Sequence, residues 1–354
     1  MGAIVSKIIK PALVLAVIGT FAMLPLLIIG VILLISWPLL PTKMYANLAA
    51  TLQNQFLIAF VWLYERNHSG LTVHVSGDDL PAGESALIVS NHVASHGDWA
   101  PMYSLVARQS STSLGGFKCV IKDVAKWIPG FGWCMWLLNW PFLKRNWAGD
   151  KLYLENKLKA YGQTDVPLSI LIFPEGTRWT KKKHADAVEY AKECNSVAKR
   201  KLHVPVHTMI PRYKGFQALV RGLDGIATHV YDITLAYNGF ALSKGSKGPG
   251  YFGLYTHDVS NGAEQCEFHM HVRRLKLSDL PKDDLKLKET LFTWFAEKDQ
   301  ILADFYNQDS RVRKFKNSKQ LKPLPSEQWI PAISLMTVLA SLFLHFILFG
   351  RHWW

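Results

Sequence analysis

Cysteine is scarce in this 354-residue chain. There are 4, at positions 119, 134, 194 and 266, none in a Cys-x-x-Cys pair. That argues against a disulfide framework and a cysteine-based zinc site, and suits reduced thiols on the cytosolic side of a cell. Acidic residues are also few. Asp+Glu number 27 against 40 Lys+Arg, a net charge of +13, and charged residues make up only 19% of the chain. With 49% hydrophobic residues, the composition argues against a disordered chain. No internal repeat points to a solenoid. Aromatics are plentiful instead, with 13 Trp and 18 Phe. Apolar and basic together fit a protein facing anionic lipid or phosphate. No nucleic-acid-binding motif accompanies the charge, so a nucleic-acid partner is not expected.

Both ends are apolar. Residues 12–40 carry no charge, with Pro25 between Gly19 and Gly30. As a helix this run is about 43 Å long, more than the ~30 Å hydrocarbon core. It reads either as one Pro-kinked span or as two short re-entrant helices, and is far longer than the core of a cleaved signal peptide. Residues 45–64 are apolar but interrupted by Asn47, Gln53, Asn54 and Gln55. That pattern suggests a helix lying in the membrane interface, or else a buried helix of the soluble part. Residues 329–349 are apolar with His345 as the one titratable group, a length that predicts a C-terminal transmembrane helix. The basic residues before it, Arg311 to Lys322, place the middle of the chain in the cytosol by the positive-inside bias. Three regions follow: N-terminal membrane helices over 1–66, a cytosolic domain over 67–310, and a basic linker with the C-terminal helix over 311–354.

The middle alternates strand and helix patterns. Short apolar runs bounded by turns predict strands at 71–75, 86–90, 117–121, 141–144, 169–173, 207–210, 230–236 and 268–272. Helices fit 99–107, 149–161, 185–201 and 285–306. The expected fold class is α/β, a mixed, mostly parallel sheet flanked by helices. The Lys181–Lys183 run reads as a solvated loop.

Four loops carry the chemistry, three of them directly after a predicted strand, where α/β proteins place their sites. Asn91-His92 is followed at a distance by Asp98. A carboxylate on one imidazole nitrogen fixes the tautomer and leaves the other nitrogen as a general base. The plainer reading is a helix N-cap or a structural His–Asp pair. Phe173-Pro-Glu175-Gly176-Thr177-Arg178 offers a tight turn, a hydroxyl and a planar guanidinium fork suited to phosphate. Lys118, Lys122, Lys126, Lys144 and Arg145 are cations beside apolar strands, suited to an anionic lipid head or a coenzyme A phosphate, or simply solvated. Ile210-Pro211-Arg212-Tyr213-Lys214-Gly215 is shaped by Pro211 and Gly215 to line a cleft or close the sheet.

In this order the loops resemble the glycerolipid acyltransferase superfamily, and among its members the eukaryotic 1-acyl-sn-glycerol-3-phosphate acyltransferases. The family's Asn-His-x4-Asp motif is matched by Asn91, His92 and Asp98, and its Phe-Pro-Glu-Gly-Thr-Arg motif stands intact at 173–178. Residues 121–147 are similar to the motif region of the endoplasmic-reticulum enzymes. One departure stands out: five residues separate His92 from Asp98, where the family has four.

The resemblance implies transfer of a fatty acyl group from acyl-CoA to the sn-2 hydroxyl of lysophosphatidate, giving phosphatidate at the endoplasmic-reticulum membrane, with the site facing the cytosol. It implies His92 and Asp98 as the catalytic pair. Lys122, Arg145, Glu175, Gly176, Thr177, Arg178 and Pro211 would bind substrate. Acyl-CoA would be a co-substrate, with no bound cofactor and no metal. Other lysophospholipids, such as lysophosphatidylinositol, are the alternative acceptors. Two different classes compete: a catalytically inactive lipid-binding protein, if the extra residue breaks the pair, and a metallohydrolase using His92 and His96, four apart, with Asp98.

Overall fold

The structure, a computed structural model, describes residues 24–66, 72–93, 95–162, 165–197, 202–238 and 267–349. In chain order these build α1 (Leu24–Ser36), α2 (Thr42–Arg66), β1 (Thr72–Gly77), β2 (Ala86–Ser90), α3 (Trp99–Val106), β3 (Phe117–Cys119), β4 (Ile121–Lys122), α4 (Phe131–Leu137), β5 (Phe142–Leu143) and α5 (Trp147–Tyr161). They continue with β6 (Ser169–Ile172), α6 (Lys181–Val197), α7 (Tyr213–Gly222), β7 (His229–Asn238), β8 (Glu267–Lys276), α8 (Asp284–Tyr306), β9 (Lys319–Gln320) and α9 (Ser326–Phe349).

Seven strands form one mixed sheet in the order β3-β6-β2-β7-β8-β1-β9. β7 pairs antiparallel with β8, β9 pairs antiparallel with β1, and the other neighbours run parallel. The alternation along β2 shows why the sheet needs helices on both faces. Ala86 and Ile88 join the apolar cluster under α2 and α3, while Leu87 and Val89 join the cluster under α5, α7 and α8. All five β2 residues are buried, as the uninterrupted Ala-Leu-Ile-Val run requires. The first cluster draws residues from all three regions set out from the sequence, Leu26 and Leu33 at one end and Met336 and Leu339 at the other.

The expected transmembrane helices are overturned: among the described residues no helix is long and apolar enough to cross a membrane. At 13 residues, α1 is about 20 Å long. It ends at Ser36 before the Pro38 turn. The remainder of the expected N-terminal run, 12–23, lies outside the described residues. The C-terminal run does form a helix, α9, and one face of its first turns packs on the protein, while Ile330 and Val338 are exposed. Ala332, Met336, Leu339 and Ala340 are buried, and Trp329 stacks on Trp62 of α2 with ring centroids 5.2 Å apart.

The helix α2 is likewise a buried one. Asn47 is exposed, but Gln53 and Asn54 face inward: the Gln53 amide donates to the carbonyls of Leu114 (2.7 Å), Gly115 (3.0 Å) and Phe117 (2.7 Å). Its oxygen accepts from Trp140 Nε1 at 2.9 Å and from the ammonium of Lys118 at 3.0 Å. Lys118 therefore leaves the cationic surface expected from sequence. Burial, then the charge of Lys157, pushes it down to about 7.

The segment 207–210 is not a strand. Its backbone donors go to carboxyl groups: Asp299 of α8 accepts from the N–H of His207 (2.7 Å), Thr208 (2.8 Å) and the preceding Val206 (2.8 Å), while the Met209 N–H goes to Glu175 (3.1 Å). Burial would raise the Asp299 carboxyl, but His203 and its three main-chain donors hold it below its ordinary value. The lysine run 181–183 opens α6 and is not a loop. Residues 198–201 of the helix expected there lie outside the described set.

Candidate active site

The parallel strands β2 and β6 end side by side, and their C-terminal loops make the site. His92 leaves β2 after Asn91, whose side chain clamps β7. Asn91 donates to the Leu235 carbonyl at 2.9 Å and accepts from its N–H at 2.8 Å. Beyond it a short 3₁₀ turn, Ser95–Asp98, carries the chain into α3. This tighter coil accommodates the fifth intervening residue and returns Asp98 to the imidazole. Nδ1 of His92 lies 2.6 Å from Oδ2 of Asp98. Asp98 sits at the N-cap of α3 but makes no side-chain capping bond there, so the N-cap reading fails. A carboxylate accepts, so Nδ1 carries the hydrogen and Nε2 presents its lone pair. The ring stacks on Phe173 with centroids 4.2 Å apart. Ala94 lies outside the described residues, as does the side chain of His96, the candidate second metal ligand.

Glu175 is placed differently from a substrate contact. It is 3% exposed, and both oxygens accept from the main chain. Oε2 takes the His92 N–H at 2.9 Å and Oε1 takes the Met209 N–H at 3.1 Å. Burial pushes its carboxyl up to about 8, against the pull of these two donors. The carboxylate thus joins the loop after β2 to the loop that Asp299 holds.

The next residue, Gly176, turns at φ +67°, in the left-handed region that glycine enters without penalty. A Cβ there would lie 3.2 Å from Cδ of Arg212. Gly176→Ala is expected to cost roughly 1–2 kcal/mol through the left-handed backbone. Thermal unfolding of the variant checks this, and an unchanged midpoint would remove the argument.

Cations gather around that turn. β4 and β5 pair in parallel, Lys122 opposite Leu143, which brings Lys122 beside the segment Lys144-Arg145. Arg145 holds an unusual φ of +65° and donates through Nη2 to the Gly176 carbonyl. Lys183 of α6 donates to the Thr177 hydroxyl. Arg212 donates its N–H to the Pro174 carbonyl at 2.7 Å, next to the buried Pro211. The ammonium of Lys122 is pushed below its ordinary value first by Arg145, then by burial, Lys183, Arg212 and Arg178. Five like charges held this close repel one another, and a bound anion relieves the repulsion. Lys126 pairs with Asp123 at 2.7 Å instead.

The structure therefore brings together His92 with Asp98, and Lys122, Arg145, Gly176, Thr177 and Arg178 around one turn. Sequence reading missed Lys183 and Arg212 as members of the cationic group. Lys183 was masked by its place in a lysine run. Arg212 lay inside a motif read for its Pro and Gly. Chemically, the arrangement can take a proton from a hydroxyl beside a bound anion.

A sequence model of the family described as Acyltransferase matches residues 72–237, and one described as Acyltransferase C-terminus matches residues 259–336. The chain is 29% identical over 262 residues to 1-acyl-sn-glycerol-3-phosphate acyltransferase 2 of Brassica napus, covering 73% of this chain and 62% of that protein. It is 25% identical over 313 residues to the epsilon form of that acyltransferase in Mus musculus, covering 86% and 81%. It is 32% identical over 243 residues to lysocardiolipin acyltransferase 1 of Gallus gallus, covering 67% and 58%. The match thus spans less than two thirds of the Brassica protein's length. This chain belongs to the glycerolipid acyltransferase superfamily.

Proposed function

We propose that the protein transfers a fatty acyl group from acyl-CoA to the sn-2 hydroxyl of lysophosphatidate. The observation that supports this most is the His92–Asp98 pair opening beside a five-cation cluster. The acceptor phosphate sits among Lys122, Arg145 and Arg178, with Lys183 and Arg212 completing the ring. Nε2 of His92 takes the proton from the acceptor hydroxyl while Asp98 steadies the resulting imidazolium. The oxygen attacks the thioester carbonyl and forms a tetrahedral intermediate. Collapse breaks the carbon–sulfur bond, and the proton held on His92 passes to the leaving CoA sulfur. The products are phosphatidate and free CoA. Acyl-CoA supplies the activated acyl group, so this chemistry calls for no bound cofactor.

Both substrates carry acyl chains, and the cytosolic face of the endoplasmic-reticulum membrane is the proposed place of work. A second acceptor is favoured by one specific similarity. The 32% identity to a protein named lysocardiolipin acyltransferase, together with five cations, suits an acceptor with more than one phosphate.

Purified protein in detergent is to be given oleoyl-CoA with lysophosphatidate, lysophosphatidylinositol or lysocardiolipin, with and without EDTA. Acceptor-dependent CoA release that survives EDTA is expected. No release with any acceptor from folded protein would favour the inactive lipid-binding reading, and loss on chelation would favour a metal enzyme.

A further inference from the structure

Asp98 is completely buried, and its two oxygens have different partners. Oδ2 faces His92, while Oδ1 accepts from the hydroxyl of Tyr237. Tyr237 stands near the end of β7, four residues past Ile233, the last residue paired with β2. Ile233, Leu235 and Tyr237 alternate onto the same face of β7 and pack in the same apolar cluster. The overhang of β7 beyond β2 therefore carries a phenol to the space in front of the His92 loop. The Tyr237 ring is wedged edge-on against Phe268, centroids 4.7 Å apart, and its N–H donates to Tyr306 at 3.3 Å. The hydroxyl has little freedom to wander.

We propose that Tyr237 is a positioning residue for the acyl transfer, holding the Asp98 carboxylate in line with His92 through Oδ1. The inference rests on the proposed role of His92 as base. The longer spacing explains the need. Five intervening residues put Asp98 at the end of a 3₁₀ turn, where its carboxylate makes no bond to the helix it caps. The Tyr237 hydroxyl, a second side-chain donor on the other oxygen, helps fix the plane of the carboxylate. It also draws off part of the carboxylate charge, so the imidazolium formed in the reaction is stabilised less than by a carboxylate lacking this donor. Among the described residues Glu175, after β6, and Tyr306, on α8, also feel the charge of Asp98, and both side chains remain in Tyr237→Phe.

The test is Tyr237→Phe, which keeps the ring and its packing. Expected are a kcat about tenfold lower, KM for both substrates within about twofold of wild type, and an acid limb of the kcat/KM profile displaced to higher pH. In an Asp98→Asn background the same substitution should change kcat by less than about twofold, because the hydroxyl acts through the carboxylate. Incorporating 3-fluorotyrosine at 237, a stronger donor of nearly the same shape, should move the acid limb to lower pH; this arm stands even where the phenylalanine variant fails to fold. An unmoved acid limb in both variants overturns the proposal, as does a full tenfold loss in the Asp98→Asn background. Wild-type turnover in His92→Ala overturns the base assignment itself, independently of Tyr237.

Discussion

His92→Ala is expected to lower kcat by about 10²–10⁴-fold, the contribution of a positioned general base. The substitution removes the one nitrogen that can take the acceptor proton, Nδ1 being committed to Asp98 at 2.6 Å. The cations that hold the acceptor lie on other segments, around Gly176, so KM for the acceptor should stay within about twofold. The fold should also survive. The His92 ring is partly exposed and packs on Phe173, while the loop is held by its main chain, through the N–H to Glu175 and the carbonyl that accepts from Trp179 at 2.8 Å. CoA release with lysophosphatidate as acceptor measures the effect. Turnover within tenfold of wild type would remove His92 from the chemistry. A large rise in KM with kcat unchanged would make it a binding residue instead.

Glu175→Gln should act on stability and activity together. The carboxyl bridges two loops through the N–H groups of His92 and Met209. An amide keeps one oxygen and turns an NH₂ toward the other donor, so one buried N–H loses its acceptor, at a cost of about 1–3 kcal/mol. The pH dependence is the sharper signature. The folded carboxyl is raised from an ordinary 4.5 to about 8, chiefly by burial. The native state therefore binds the proton more tightly than the unfolded chain does between those values. The stability that the protonated form contributes is fully present below 4.5 and is lost as pH rises through about 8. The difference in unfolding midpoint between wild type and Glu175→Gln should accordingly shrink as pH rises over that window. A difference independent of pH would show that Glu175 is ionised throughout.

Much of the sheet was readable because buried parallel strands are written as apolar runs. The residues Ala86 to Ser90 and Ser169 to Ile172 needed no context to be placed. The 207–210 run misled because its apolar look was local. The Asp299 carboxylate, 92 residues from His207, claims two of its main-chain donors, and nothing in the run announces that. By contrast α7 was legible and overlooked: Phe216, Leu219, Val220 and Leu223 recur at helical spacing and are all buried. The apolar run 329–349 was long enough to suggest a bilayer. Length and hydropathy alone do not distinguish a lipid partner from a protein one, and here the partner of Trp329 is Trp62.

The residue types at the site were set by the sequence itself: a histidine and a carboxylate after one strand, a Pro-Glu-Gly turn and an arginine after the next. Their geometry was decided only in three dimensions. Whether five residues between His92 and Asp98 break the pair depends on the path of the intervening chain, and a 3₁₀ turn closes the contact despite the extra residue. The burial of Glu175, the withdrawal of Lys118 into the core and the arrival of Tyr237 at Asp98 follow the same logic. Each depends on groups tens of residues apart in sequence. Hydrogen bonding and burial respond to distance in space, and only packing sets that distance.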